Sequence, residues 1–523
     1  MTETGITFTS QQNKEGILIK DTAPGSCVMV IFGATGDLSR LKLFPALYGL
    51  AAEKKLPEQF EIIGYSHTDR TSESFIDQIR QSLEKKLGQA FDAAVWDWLA
   101  GRLRYVAGDF AGQDDYLHLA AVIKKIEEQQ KTRGNRLFYL ATASPFFGDI
   151  LQNLHGAGLI HPVDDAHPQP WSRVVIEKPF GTDLESARQL NRLATGIFDE
   201  KQIFRVDHYM AKETVQNILV LRFANSIFEP LWNRSHIDHV QLTAAEDIGI
   251  TTRGAFYDKT GVVRDVLQNH LMQVLALVAM ELPVSLNPRD FHDEKSKFFR
   301  ALRPLDADDL SEHAVLGQYI GYTEEKNVEP DSATPTFVAL KVLIDNWRWQ
   351  GVPFYIRAGK GLAAKLTEVS IHFRPIPICL FGGADACRRI HPNVLTIRIQ
   401  PDEGITLSFA CKVPGDHLEV GEVTMDFSYA RAFAGRQRAA YERLLLDCMR
   451  GDNLLYGRAD VIEGQWSFVA PLLEGEEGSA KIALQKYERG SDGPRTAEAI
   501  IAGDGRCWRG LAENCPNREN NGT

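Results

Sequence analysis

The run Cys27–Phe32 (CVMVIF) is followed at once by Gly33-Ala-Thr-Gly-Asp-Leu38, and this pair of segments constrains the fold more than any other. An unbroken apolar run of this length makes a strand covered on both faces, the kind found in a parallel sheet clad by helices. The glycines then permit a sharp strand-to-helix turn. Backbone there can approach a pyrophosphate, and the N–H groups of the following helix face it. The spacing is GxxGDL rather than GxGxxG, so taken alone the turn fits a plain strand–turn–helix as well as a nucleotide site.

The alternation continues. Leu41–Ala52, Phe75–Leu87, Tyr116–Gln130, Phe146–Leu154 and Leu184–Ala194 have helical spacing. Glu61–Tyr65, Arg104–Val106, Leu137–Leu140 and Arg173–Ile176 read as strands between them. The pattern predicts an α/β domain, a Rossmann-like doubly wound parallel sheet over residues 25–204, after a polar extension at 1–24. From residue 205 the pattern changes. Helices are expected at Lys212–Arg222, Gly261–Met280 and Tyr441–Arg450. Strands are expected at Phe337–Asp345, Glu368–Phe373, Val394–Ile399, Ile405–Ala410 and Val423–Tyr429. This predicts an α+β domain over 205–502 with a large, mostly antiparallel sheet, and a polar, poorly ordered tail at 503–523.

A chain of 523 residues exceeds one ordinary core, in keeping with two domains. Its net charge of −11 argues against nucleic-acid binding, and obliges any site for an anionic substrate to gather its own cations. The seven cysteines are scattered without a CxxC pair, which suits a reducing compartment and points to no metal site. Cys507 and Cys515 are close enough in sequence to bridge, but free thiols are the favoured reading. The first 24 residues lack a signal-peptide run, and Val274–Met280 is too short to span a bilayer. A cytoplasmic protein without membrane contact is expected.

Candidate chemistry concentrates in Arg205–Glu213, RVDHYMAKE. Asp207, His208, Tyr209 and Lys212 together can bind a phosphate and steer a proton; the bland alternative is a surface charge cluster at a helix start. In Arg264–His270 (RDVLQNH) the polar residues spread around an otherwise apolar helix, as groups facing a site or a buried network would. His270 is the candidate base, oriented by a carboxylate from another segment; a lone helical histidine is otherwise more often a satisfied core residue. Glu177-Lys178-Pro-Phe-Gly181 follows a strand, where ligands bind in such sheets, or is a simple turn. Lys360 and Lys365 form a second cationic pair whose default reading is solvated surface. The loop Gly64–Arg70 has no acid directly after Tyr65, and His67, Arg70 and Arg40 offer positive charge, a mild preference for NADP.

With these segments in hand, the chain resembles glucose-6-phosphate dehydrogenases over about residues 28–471. The carrying motifs are GATGDLSRLKLFPALY, EKPFG, RVDHYMAKETVQNILVLRFAN, FEPLWNR, YDKTGVVRDVLQNHL, PFYIRAGKGLAAK and YERLLLDCMRGD, in the family's order. The resemblance implies oxidation of glucose 6-phosphate at C1 to the 1,5-lactone, the first oxidative step of the pentose phosphate pathway. It implies His270 as general base, Asp207 as its orienting acid, and His208, Tyr209 and Lys212 around the sugar 6-phosphate. Lys178, Glu246, Asp265, Lys360 and Lys365 would contact the sugar or nicotinamide side. Gly33, Thr35, Gly36, Asp37, Arg40, Lys42, His67, Glu177 and Lys178 match cofactor-side positions. Homodimers or homotetramers through the large sheet are implied, with no metal. Two departures stand out. Many members carry an arginine for the 2′-phosphate where this chain has His67, so the cofactor is expected to be NADP with NAD as an alternative. In Ala143-Ser-Pro145 the proline lies one residue later than usual, at a loop near the nicotinamide. The competing readings are an enzyme of another sugar or sugar phosphate, and a cofactor-binding regulator without catalysis.

Overall fold

Strand β1 (Cys27–Phe32) is buried on both faces, with alternate residues entering two different cores. Val28, Val30 and Phe32 pack in one apolar cluster; Cys27, Met29 and Ile31 pack in the other. Helices therefore cover both sides of the strand, and the chain is doubly wound around it. The computed structural model describes residues 24–164, 166–305, 310–378, 380, 390–433, 439–474 and 482–511. The 1–23 part of the polar extension, Cys379, Cys387, Cys515 and positions 512–523 lie outside the described residues.

The first sheet has the order β3-β2-β1-β4-β5-β6 and is parallel throughout. Its other strands are β2 (Phe60–Ser66), β3 (Leu103–Ala107), β4 (Arg136–Leu140), β5 (Ser172–Ile176) and β6 (Ile203–Arg205). The helices between them are α1 (Phe44–Ala52), α2 (Ser72–Leu87), α3 (Ala93–Ala100), α4 (Gln113–Gln130), α5 (Phe147–Gly156) and α6 (Leu184–Ile197). The strand order reverses at β1, between β2 and β4, which opens a crevice at the strand C-termini. Gly33 starts the turn over that crevice at φ +80, and a Cβ there would lie 2.7 Å from the Ala141 carbonyl oxygen. Glycine is thus required both by conformation and by space. The displaced proline of the Ala143–Pro145 loop is accommodated: Ser144–Phe146 forms a 3-10 turn with Pro145 in its first residues, where its missing N–H costs nothing.

The second sheet has nine strands in the order β14-β13-β12-β11-β7-β10-β9-β8-β15. These are β7 (Ile237–Ala245), β8 (Ala314–Tyr319), β9 (Phe337–Val342), β10 (Phe354–Gly359), β11 (Leu366–Phe373), β12 (Val394–Gln400), β13 (Gly404–Lys412), β14 (Val420–Ser428) and β15 (Gln485–Tyr487). Pairing is antiparallel except for β7 with β10 and β8 with β15. Strands β7, β8 and β10 are largely buried, so they lack the half-polar alternation that marks a strand in sequence. Helices α7 (Glu213–Phe223), α8 (Gly254–Val262), α9 (Met272–Ala279) and α10 (Pro288–Ala301) precede or intervene.

Two expectations are corrected. The helix foreseen over Gly261–Met280 is not uniform: Gly261 is non-helical at φ 62, ψ 176, and Val263–Leu271 is wound as a π-helix before α9 resumes normal pitch. Helix Ala440–Arg450 returns to the first sheet, burying Leu444, Leu445, Cys448 and Met449 in the cluster that holds Cys27 and Ile31. Arg173 of β5 seals this return by donating to the Cys448 and Met449 carbonyls, both at 2.8 Å. Finally, the tail is packed as far as Leu511. Trp508 is 7% exposed and donates to Ala497 O at 2.9 Å, while Arg506 forms a two-pronged pair with Asp238 at 2.8 and 2.9 Å. A polar average over the tail concealed these anchors. Trp508→Ala is expected to cost about 3–5 kcal/mol of stability, read from denaturant unfolding; a loss under about 1 kcal/mol would mean that the segment is merely laid on the surface.

Candidate active site

The loops after β5 and β6 face the π-helical segment. Lys178 follows β5, Asp207 follows β6, and His270 comes from Val263–Leu271. His270 Nδ1 lies 2.6 Å from Asp207 Oδ1, and Lys178 Nζ lies 3.0 Å from His270 Nε2. With Nδ1–H donated to a carboxylate, the lone pair is left on Nε2, where the ammonium donates. Lys178 also reaches Asp265 Oδ1 at 3.5 Å and the Asp265 carbonyl at 3.2 Å. The π winding explains how Asp265 and His270 serve one lysine. Closure from i to i+5 brings residues five apart onto one side, whereas in an α-helix they diverge.

The pair is buried, with Asp207 7% and His270 4% exposed. Burial by itself would raise the Asp207 carboxyl, but the imidazole of His270 and the hydrogen bond from it hold the group well below the usual carboxylate range. Burial lowers His270 below its ordinary 6.5, opposed by Asp207 and reinforced by Lys178. His208, edge-on to His270 at 4.4 Å, is pushed down to about 3 by burial and by the neighbouring imidazole. Tyr209 stacks on His270 at 4.2 Å with 14° between the rings, and burial lifts its phenol to about 12. Asp207, His208 and His270 present ligand atoms within 4.8 Å of one another. Within this group Asp207 and Nδ1 bond each other, and Nε2 faces the Lys178 ammonium.

The remaining predicted sugar-side groups converge from the second sheet. Lys360, at the end of β10, pairs with Glu246 at 2.9 Å and lies 3.8 Å from Asp265 Oδ2. Burial would raise Asp265, but Lys178 and Lys360 hold it below the usual carboxylate range. Lys212 donates to Gln400 at 2.6 Å and sits 4.1 Å over the Tyr209 ring. Burial, against the pull of Glu403 and with the push of Lys365, lowers Lys212 to about 8. Lys365 itself is exposed beside this pocket. Gln400, Glu403 and Thr367, which hydrogen-bonds Tyr209, belong to the site without having been foreseen. They stand singly at strand ends, and only the pairing of β11 with β12 brings two of them opposite Lys212 and Tyr209.

On the cofactor side, Thr35 and Ser66 share a hydroxyl contact of 3.0 Å across the crevice mouth. Gly33 and Gly36 shape the turn, joined by Gly36 N to Gly33 O at 3.0 Å. Arg40 pairs with Asp37 at 2.7 Å, Lys42 is exposed, and His67 lies at the end of β2 edge-on to Phe110 at 6.1 Å. Arg70 is held by Gln78 of α2. Glu177 is buried rather than open to the crevice: it accepts from Tyr139 at 2.6 Å and bonds Tyr441, and burial outweighs these bonds to raise its carboxyl. It braces the loop that carries Lys178. A glycine turn at a switch point, with basic groups beside the second strand, fits a nicotinamide dinucleotide.

Comparison with known proteins agrees with this geometry. The family descriptions "Glucose-6-phosphate dehydrogenase, NAD binding domain" and "Glucose-6-phosphate dehydrogenase, C-terminal domain" match residues 30–217 and 219–509. The chain is 42% identical to glucose-6-phosphate 1-dehydrogenase of Chlamydia pneumoniae, over 97% of this chain and 100% of that protein. It is 44% identical to that of Aggregatibacter actinomycetemcomitans, over 92% and 97%. The crystal structure of the Mycobacterium avium enzyme superposes with a TM-score of 0.81 at 42% identity, over 94% of this chain and 100% of that one. A glucose-6-phosphate dehydrogenase solved in complex with its substrate glucose-6-phosphate superposes with a TM-score of 0.84 at 35% identity, with the same coverage. Motifs, two-sheet architecture and relatives over nearly the full length all agree, and the chain belongs to the glucose-6-phosphate dehydrogenase family.

Proposed function

We infer that this protein oxidises D-glucose 6-phosphate at C1 to 6-phospho-D-glucono-1,5-lactone, passing hydride to a nicotinamide dinucleotide, as the first oxidative step of the pentose phosphate pathway. The observation that carries the reading is the buried His270–Asp207 hydrogen bond of 2.6 Å, set among Lys178, Lys212 and Lys360. His270 Nε2 removes the proton of the C1 hydroxyl, and the positive charge that forms is met by Asp207 through Nδ1. Loss of that proton pushes electron density onto C1, whose C–H bond breaks with its electron pair as the C1 carbonyl forms. The dinucleotide, when bound, accepts the hydride at its nicotinamide ring. Lys178, paired with Asp265, holds the Nε2 lone pair; it must yield that lone pair to the C1 hydroxyl before the base can act, and is then placed to meet the C1 oxygen.

Lys212, His208 and Tyr209 form the 6-phosphate end. His208 contributes as a neutral donor, so Lys212 carries the charge, and a phosphate dianion favours its protonated form. Lys365 adds long-range attraction from the rim. Lys360, Glu246 and Asp265 address the sugar hydroxyls. On the cofactor side, Arg40, Lys42 and His67 favour NADP, with NAD accepted because His67 replaces a permanent cation. We assign the protein to the cytoplasm; among the described residues no helix is long and apolar enough to cross a membrane. Association into dimers or tetramers is proposed through β13 and β14, where Val423 and Met425 are 37% and 44% exposed.

His270→Asn is expected to lower kcat by about 10²–10⁴-fold with little change in sugar binding, measured by initial rates; near-normal turnover would remove His270 from its role. Lys212→Ala is expected to raise KM for glucose 6-phosphate by about 10–100-fold, with a smaller loss in kcat. Unchanged constants would sink the phosphate assignment. His67→Arg is expected to raise the NADP to NAD ratio of kcat/KM by about tenfold; an unmoved ratio would place the 2′-phosphate elsewhere.

A further inference from the structure

Beside Asp207 lies a cavity of about 40 Å³. Its walls are the loops after β5 and β6, the π-helical segment and helix Ala459–Glu474. Three of the lining residues have a buried polar atom without a partner in the protein: Asp207 Oδ2, Arg205 Nε and Gln465 Nε2. These residues are 7%, 2% and 2% exposed, so bulk water does not satisfy them. An orphaned buried polar atom costs about 1–3 kcal/mol, and three on residues that line one small cavity are best met by a partner they share.

The chemistry of the three atoms selects it. Arg205 Nε and Gln465 Nε2 are donors, and the Asp207 carboxylate is an acceptor. An anion is repelled by Asp207, and a cation is repelled by Arg205. A neutral molecule that accepts twice and donates at least once fits, and the volume holds roughly one or two waters. The frame is rigid. The other Arg205 nitrogens are bonded to Glu200 at 2.6 and 3.1 Å and to Gly457 O at 3.3 Å, and Trp466, next to Gln465, donates to Phe180 O at 3.0 Å.

We propose that this cavity is a built water site, and that Gln465 is a positioning residue for the base, acting through that water on Asp207. The water accepts from Gln465 Nε2 and Arg205 Nε and donates to Asp207 Oδ2. The carboxylate is thereby held by both oxygens, with Oδ1 fixed on His270 Nδ1. Gln465 touches neither substrate nor cofactor in this scheme. The proposal rests on His270 being the base.

Other charged groups also face the pair. Lys178 and Glu177 come from the loop after β5, His208, Tyr209 and Lys212 from the loop after β6, and Asp265 from the π-helical segment. Lys295 of α10 and Tyr441 of helix Ala440–Arg450 act on Asp207 from further off. All are retained in the uncharged Gln465→Leu variant, so a titration that moves there reports the loss of the Gln465 amide.

The test begins with a high-resolution crystal structure of the full-length protein. An ordered water within about 2.7–3.2 Å of both Asp207 Oδ2 and Gln465 Nε2 is expected; a dry cavity, or one filled by a side chain, overturns the proposal. Gln465→Leu is expected to lower kcat by about 5–30-fold while KM for glucose 6-phosphate stays within about twofold. Gln465→Glu, nearly the same shape, also covers the case in which leucine prevents folding. It places a carboxylate near the pair, favours the imidazolium, and is expected to move the acid limb of kcat/KM up by about 0.5–1 pH unit. If the variants lose only thermal stability, with kcat and the acid limb as in the parent, Gln465 is packing and the proposal fails. His270→Asn, run beside them, separates the two readings. An inactive His270 variant with silent Gln465 variants removes the water site alone, whereas an active one removes the base assignment on which it stands.

Discussion

The hydrogen bond between Asp207 and His270 depends on both halves of the molecule at once. Asp207 hangs from the last strand of the parallel sheet, and His270 projects from a segment packed with the second sheet. A contact of 2.6 Å between a buried acid and a buried imidazole tolerates little sliding of one layer against the other. The architecture answers that demand by not letting the halves separate. One apolar cluster runs from Val28 and Phe138 of the first sheet through Leu267 and Leu271 to Ile356 and Ile397 of the second. Helix Ala440–Arg450 crosses back to the first sheet and is tied there by Arg173. What looks like two domains along the chain is, at the site, one interior.

The electrostatics follow the same economy. A chain with net charge −11 assembles Lys178, Lys212 and Lys360 in one pocket. Lys178 and Lys360 lean on carboxylates, and Lys212 on the side-chain amide of Gln400. In the proposed reading, cations fixed in advance would leave less to reorganise on binding an anionic sugar. The opposite treatment is given to the imidazoles. Burial lowers both His208 and His270, which disfavours their charged forms among the lysines. A histidine that stays uncharged among lysines is one that can still accept a proton.

Much of this could be read in the residues, because the informative segments are local. The apolar run Cys27–Phe32 and its glycine turn announced the parallel sheet, and RVDHYMAKE gathered an acid, an imidazole and an ammonium within one loop. The features that escaped are those that depend on distance in space. Leu267, Asn269 and their neighbours give no sign that the backbone widens to π pitch, since the same apolar spacing suits an α-helix. Gln400 and Glu403 are ordinary polar residues until two strands set them against Lys212. Glu177 lies in a conspicuous motif, but its partners Tyr139 and Tyr441 come from far apart, so its bracing role is invisible locally. Trp508 was lost in a polar neighbourhood, where composition outweighs a single aromatic anchor.

The late arrival of one edge of the second sheet sets the order in which this molecule can be made. Strand β15 lies beside β8 although about 170 residues separate them in the chain, and Arg506 and Trp508 lock onto groups from β7 and the helix that follows β15. During synthesis, β8 must wait with one edge bare until residues 485–511 leave the ribosome. Exposed strand edges of that kind invite pairing with other chains. The nascent second sheet is therefore most exposed to misassembly in the interval before the last segment docks. Shielding by a chaperone would matter most then, and a chain released short of that segment would keep the vulnerability for its whole lifetime.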